Sequence, residues 1–179
     1  MCTDGPLEPC GGMKKLYIMC GVTFSGKSTL AQQIAEHKEA VLVSQDAIWF
    51  EHKEEWNLDM SSDEDWERIQ QISRAEIRQK LSSGSSVVYD DIGLKNSGRE
   101  SLCDLARESG AQAILVYVDT PQYLRQRRQA HNLVTMERHD VPEHIVTWGL
   151  IEFEVPLETE SPHTFTPDTD LGDWLKGLP

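Results

Sequence analysis

Eight consecutive residues, Gly21-Val22-Thr23-Phe24-Ser25-Gly26-Lys27-Ser28, satisfy G-x-x-x-x-G-K-[ST] at every fixed position. Each fixed residue answers a physical need. Gly21 and Gly26 permit backbone dihedrals that turn successive N–H groups toward one anion. Lys27 supplies a compact positive charge for β- and γ-phosphates. Ser28 offers a hydroxyl to Mg²⁺, and a helix starting here aims its positive end at the phosphates. Such a loop needs a buried strand before it and a helix after it. Leu16–Cys20 is an apolar strand candidate, and Leu30, Ile34 and Ala35 recur at helical spacing from about Gly26 to His37. Gly21 to Thr29 is therefore the expected nucleotide-binding segment, and the ligand is a nucleoside triphosphate with Mg²⁺.

The rest of the chain repeats the strand–helix alternation. Ala40–Val43, Val87–Tyr89, Ala113–Val118 and His163–Thr166 read as further strands. Residues 47–62 read as an irregular acidic stretch. Ser61 and Ser62, with Glu64 and Asp65 three residues on, open a long helix ending at Ser82-Ser83-Gly84. Its inward face carries Trp66, Ile69, Ile72 or Ser73, Ile77 and Leu81. Ser97 with Glu100 caps a helix that Gly110 ends. Thr120 as N-cap and Pro121 start another, and Asp140 and Glu143 frame one with Ile145, Trp148 and Ile151 or Leu150 inward. A short helix near Leu171–Leu175 closes the chain. This order predicts a three-layer α/β fold: a mostly parallel sheet of about five strands with helices on both faces. One domain over residues 13–179 is expected, after a disordered extension 1–12 rich in Gly, Pro and acid, with Met13 a possible true start.

Composition narrows the partners. Seventeen basic against 30 acidic residues give a net charge of −13, which repels nucleic acid and anionic membrane as a whole. Any phosphate must be met by local devices. No apolar run approaches the length of a membrane span. The four cysteines form no C-x-x-C or zinc spacing and read as reduced thiols, so the expected location is the cytoplasm.

Carboxylates at strand ends supply the remaining candidates. Asp90 or Asp91, after the third strand, is placed to serve Mg²⁺ directly or through water. Asp46 ends the second strand, where a carboxylate can accept a proton from an attacking hydroxyl. Arg125, Arg127, Arg128 and Arg138 gather on the segment 121–141, an expected helical lid whose arginines neutralise charge on a transferred phosphoryl group.

Together these features resemble small P-loop kinases of the group that includes the kinase domain of polynucleotide kinase, chloramphenicol phosphotransferase and zeta toxins. The resemblance runs from about Lys15 to Glu160. It rests on Gly21–Ser28, Asp46, Val87-Val88-Tyr89-Asp90-Asp91 with Arg99, and Val116-Tyr117-Val118-Asp119-Thr120-Pro121. Arg138-His139-Asp140-Val141-Pro142 and Phe153-Glu154-Val155-Pro156 complete it. It implies ATP as phosphoryl donor, Asp46 as base, and Lys27, Arg128 and Arg138 as catalytic cations. Polynucleotide kinases carry arginine three residues after the base, where this chain has Trp49. Trp49, Phe50 and Trp56 suggest instead an apolar wall for a small organic acceptor. The leading expectation is transfer of the γ-phosphoryl group to a small-molecule hydroxyl. Polynucleotide 5′-hydroxyl phosphorylation and a nucleotide-hydrolysing switch are the alternatives; the switch has only Asp90-Asp91-Ile92-Gly93 in its favour.

Overall fold

Alternation along the first strand sets the layers. In β1 (Lys15–Cys20), Leu16, Ile18 and Cys20 enter one core cluster, whereas Tyr17 and Met19 enter another. A strand apolar on both faces must be covered on both. The computed structural model describes residues 13–136 and 141–179, so the expected extension 1–12 lies outside the described residues. The first core is closed by α2 (Gln45–His52), α3 (Asp63–Ser82) and α4 (Asn96–Glu108). The second is closed by α1 (Lys27–His37) and α7 (Leu171–Gly177). Three layers result, as the alternation predicts.

The other strands are β2 (Val41–Ser44), β3 (Val87–Asp90), β4 (Gln112–Val118) and β5 (His163–Phe165). All pairings among the described residues are parallel, in the order β2-β3-β1-β4-β5. The chain leaves the central β1 first toward β2 and β3, then crosses to β4 and β5. Such a reversal opens a crevice above the carboxyl ends of the central strands. Ser44 is in register with Asp90, which sets the ends of β2 and β3 level beside the loop that follows β1.

Four expectations need correction. The stretch expected to be irregular from residue 47 is helical as far as 52, in a helix that starts at Gln45, so Asp46 lies in its first turn instead of ending β2: the Ser44 hydroxyl accepts from the Ala47 N–H at 3.3 Å, and Gln45, Ile48 and Trp49 are buried. Helix α5 (Gln122–Thr135) begins one residue late, with Pro121 in the capping place. Thr120 is buried and its hydroxyl is engaged elsewhere. Helix α4 starts at Asn96 with no side-chain cap. In α6 (Glu143–Glu152) Val146 and Gly149 face inward, Ile145 is half-buried, and Trp148, Leu150 and Ile151 are exposed. That helix is apolar nearly all round, so periodicity cannot choose its face. The approach of Gly149 to Ile92 does: a Cβ there would lie 3.4 Å from the Ile92 side chain. The open choice in α3 resolves to Ser73, which is buried and donates to the Ile69 carbonyl at 2.8 Å.

Gly93 fixes the turn after β3. Its φ is +62°, and an added Cβ would lie 3.0 Å from the Met19 carbonyl oxygen and 3.2 Å from the Cys20 Cα. Neither backbone atom can yield. Gly93→Ala is expected to lower stability by about 2 kcal/mol, read as a lower urea midpoint at unchanged slope.

Candidate active site

The loop between β1 and α1 is held from behind. Gly26 adopts φ +95° at the helix start, a conformation that suits glycine. The Ser25 carbonyl accepts from the Thr120 hydroxyl at 2.8 Å and from Arg128 Nη1 at 2.6 Å. The Phe24 carbonyl accepts from the same Arg128 nitrogen at 3.1 Å. Tying the Ser25 carbonyl back turns the N–H of the same peptide, that of Gly26, to the opposite side, while the Ser25 N–H closes the loop on the Val22 carbonyl at 3.1 Å. A further backbone bond, Gly21 N–H to the Ile92 carbonyl at 3.1 Å, joins the loop to the segment after β3.

Charge gathers in front of it. Lys27 Nζ lies 2.8 Å from Asp90 Oδ1. Burial works against the ammonium, but the Asp90 carboxylate, with Asp46 and Asp91 beyond it, outweighs this and raises the Lys27 pKa. Asp91 is half-buried beside the pair, and desolvation raises its carboxyl above the ordinary aspartate value although Lys27 opposes the shift. Two neighbouring carboxylates matched by one ammonium form a donor set short of positive charge. With the Ser28 hydroxyl in the first turn of α1, they fit a divalent cation.

Asp91 thus carries a cost in the folded protein. Its folded pKa exceeds the unfolded one, so the folded state binds more protons, and stability falls as pH rises through that interval. Asp91→Asn should raise the calorimetric melting midpoint of the unliganded protein at pH 7. The gain should shrink on acidification toward pH 4.

Two cavities meet at Phe24, Ser25 and Gly26. The first, about 680 Å³, lies between α1, α5 and β5, and is lined by Thr29, Gln33, Arg127, Arg128 and Pro167 among others. The second, about 570 Å³, opens over Lys27, Ser28, Asp46, Asp90 and Asp91 and is walled by Phe50, Met60, Trp66, Val141 and Ile145. Asp46 stands in the exposed first turn of α2. Val22 and Thr23 line the second cavity as well.

The expected site residues from Gly21 to Ser28, with Asp46, Asp90 and Asp91, converge on the second cavity, and Thr29 lines the first. Arg128 reaches the loop. Arg127 lines the first cavity, while Arg125 Nε donates to the Thr120 carbonyl at 3.1 Å at the start of α5. Arg138 lies outside the described residues. The expected aromatic wall is corrected. Trp49 is 1% exposed and stacks on Trp66 at 4.3 Å between ring centroids. Trp56 stacks on His52 at 3.7 Å and lies under the Arg68 guanidinium, leaving only Phe50 of the three in the cavity. Trp66 and Met60 take the vacated role, through the packing of α2 on α3. Thr120 is the other residue missed; its buried place after an apolar strand was the available signal.

The AAA domain family matches residues 16–156. The chain belongs to that family. No curated protein matches it. Among solved structures, a Sinorhizobium meliloti gluconokinase is 21% identical at TM-score 0.64, covering 93% of this chain and 90% of that one. The Mycobacterium tuberculosis APS kinase CysC, in complex with AMPPNP and APS, is 18% identical at TM-score 0.66, with 93% and 95% covered. A Pnkp1/Rnl/Hen1 RNA repair complex contains a chain 20% identical at TM-score 0.62, with 81% and 45% covered. The AAA-family chain therefore has the P-loop kinase fold expected from its sequence. Among its described residues no helix is long and apolar enough to cross a membrane.

Proposed function

We propose that the chain is an ATP-dependent phosphotransferase that moves the γ-phosphoryl group to a hydroxyl of a small molecule. One observation carries this reading: two cavities, each of ligand size, meet at the phosphate loop, and Asp46 lines the one remote from α5. Hydrolysis requires one nucleotide pocket and a water. A second walled cavity with a carboxylate at its mouth suits an acceptor.

In this reading the first cavity takes the nucleoside and the loop amides grip the phosphates. Ser28 with Asp90 or Asp91 would hold Mg²⁺, which would supply positive charge to the phosphates when bound. Asp46 accepts the proton of the acceptor hydroxyl while its oxygen bonds to the γ-phosphorus. The bond from that phosphorus to the β–γ bridging oxygen breaks, and ADP carries away the electron pair. Lys27 turns from Asp90 to the phosphates. Arg128 and Arg138, on the proposed lid 121–141, meet the charge on the transferred group. Arg128→Ala should then cut turnover by about 10²-fold or more while ATP affinity changes less; equal losses would assign Arg128 to holding the loop alone.

The small-molecule kinases among the structural neighbours support such an acceptor. The Pnkp1 neighbour keeps polynucleotide ends in the test. ADP release by the full chain should be slow with Mg²⁺–ATP alone and rise with particular members of a metabolite panel. Steady release indifferent to every small alcohol and every 5′-hydroxyl oligonucleotide would overturn the proposal.

A further inference from the structure

The second cavity has a one-sided electrostatic character. Among the described residues lining it, Lys27 is the one lysine or arginine, and its ammonium already lies 2.8 Å from Asp90. Asp46, Asp90 and Asp91 line the same space, so it is net negative before any nucleotide arrives. Residues 45–67, six of which line the cavity, carry eight further acidic residues besides Asp46 and one lysine, Lys53. Bound ATP phosphates then engage Lys27 and bring more negative charge. The basic side chains nearest in sequence turn elsewhere: Arg68 lies over Trp56, and Arg74 donates to the Ser101 hydroxyl.

The opposite wall is apolar. Trp66 has its indole N–H donated to the Met60 carbonyl at 3.0 Å and its ring stacked on Trp49. It therefore offers the cavity ring carbon and no free donor. Phe50, Met60, Val141 and Ile145 continue that surface. Polar groups on the floor are partly committed, with the Ser44 hydroxyl capping α2 and the Gln45 amide nitrogen bonded to the Tyr89 hydroxyl at 2.7 Å. An anionic acceptor would meet no cation but Lys27 among the described lining residues, and would lose its hydration.

We infer that the acceptor is a neutral or amine-bearing alcohol with an apolar ring body, and that carboxylated, sulfated and phosphorylated alcohols are rejected. This rests on the phosphotransferase reading for which cavity takes the acceptor. Three probes of one shape test it: 4-methylbenzyl alcohol (neutral), 4-(aminomethyl)benzyl alcohol (cationic) and 4-(hydroxymethyl)benzoate (anionic). Their dissociation constants are measured by titration calorimetry on the full chain with Mg²⁺–AMPPNP bound, and ADP release is measured separately with Mg²⁺–ATP. The neutral and cationic probes should bind at least tenfold more tightly than the benzoate. Met60→Arg, and independently Phe50→Arg, should narrow or reverse that order by placing a guanidinium in the wall. Equal binding of all three, tighter binding of the benzoate, or failure of both non-anionic probes to bind would overturn the inference. Selective binding without transfer to any alcohol would instead overturn the phosphotransferase reading and leave the charge preference standing.

Discussion

Asp46→Asn is expected to keep Mg²⁺–ATP affinity within about threefold of wild type while cutting acceptor phosphorylation by about 10²–10⁴-fold. The substitution preserves shape and removes only the capacity to take a proton. Asp46 is exposed in the first turn of α2, so the fold does not depend on it. It lines the proposed acceptor cavity and lies near enough to Lys27 to act on its charge, yet it is absent from the lining of the proposed nucleoside cavity. Lys27→Ala should behave differently, impairing binding and transfer together, because in the proposed mechanism Lys27 meets the phosphates in both ground and transition states. Calorimetric ATP titration beside product formation separates the two patterns. Near-normal transfer by the asparagine variant would remove Asp46 from the chemistry.

The largest effect on stability is expected at Arg99. Its side chain is 1% exposed. Nε and Nη2 donate to the Glu160 carboxylate at 2.7 and 2.9 Å, and Nη1 donates to the carbonyls of Gly93 and Glu154 at 2.8 and 3.0 Å. One guanidinium thus joins the turn after β3 to the segment following α6. Arg99→Leu leaves a largely buried carboxylate and two carbonyls without this partner, costing about 3–5 kcal/mol. Against a typical domain stability of about 5–15 kcal/mol this is severe. Lysine cannot reproduce the fork, so Arg99→Lys should recover little. Adding Glu160→Leu to Arg99→Leu should restore part of the loss, since no charge is then stranded.

The pH dependence follows from the same pair. Hydrogen bonding to Arg99 lowers the Glu160 pKa in the folded state, so the unfolded chain binds the proton more readily. The stabilisation is fully present above the ordinary glutamate value and is lost as pH falls through the depressed one. Urea midpoints of wild type and Arg99→Leu should therefore converge on acidification.

The phosphate loop was legible because its chemistry dictates residue types at fixed spacing. The carboxylates Asp90 and Asp91 at the end of β3, and Asp46 just beyond β2 in the first turn of α2, were legible because a parallel sheet brings its carboxyl ends to one edge. Arg99 was marked only by resemblance; its partner Glu160 lies 61 positions away, beyond any local pattern. Local patterns also failed where tertiary packing chooses. Residues 45–52 carry aromatic and charged side chains without clean helical periodicity, so their helix depends on the Ser44 cap and on burial of Trp49. Packing of α2 on α3 then sends Trp49 into the core and presents Trp66 and Met60 to the cavity. The acid of residues 51–65, which as composition only disfavoured nucleic acid, lies in the same segment as Met60, a wall residue of the proposed acceptor cavity.

Tracing the γ-phosphoryl group tests the central proposal most directly. The full chain is incubated with Mg²⁺, ATP labelled with ¹⁸O on its γ-phosphoryl oxygens, and a panel of small alcohols, and mass spectrometry locates the label. The expected result is labelled phosphoryl on an alcohol oxygen, absent when Asp46→Asn replaces the wild type. Label found only in inorganic phosphate, at a rate no alcohol alters, would contradict it.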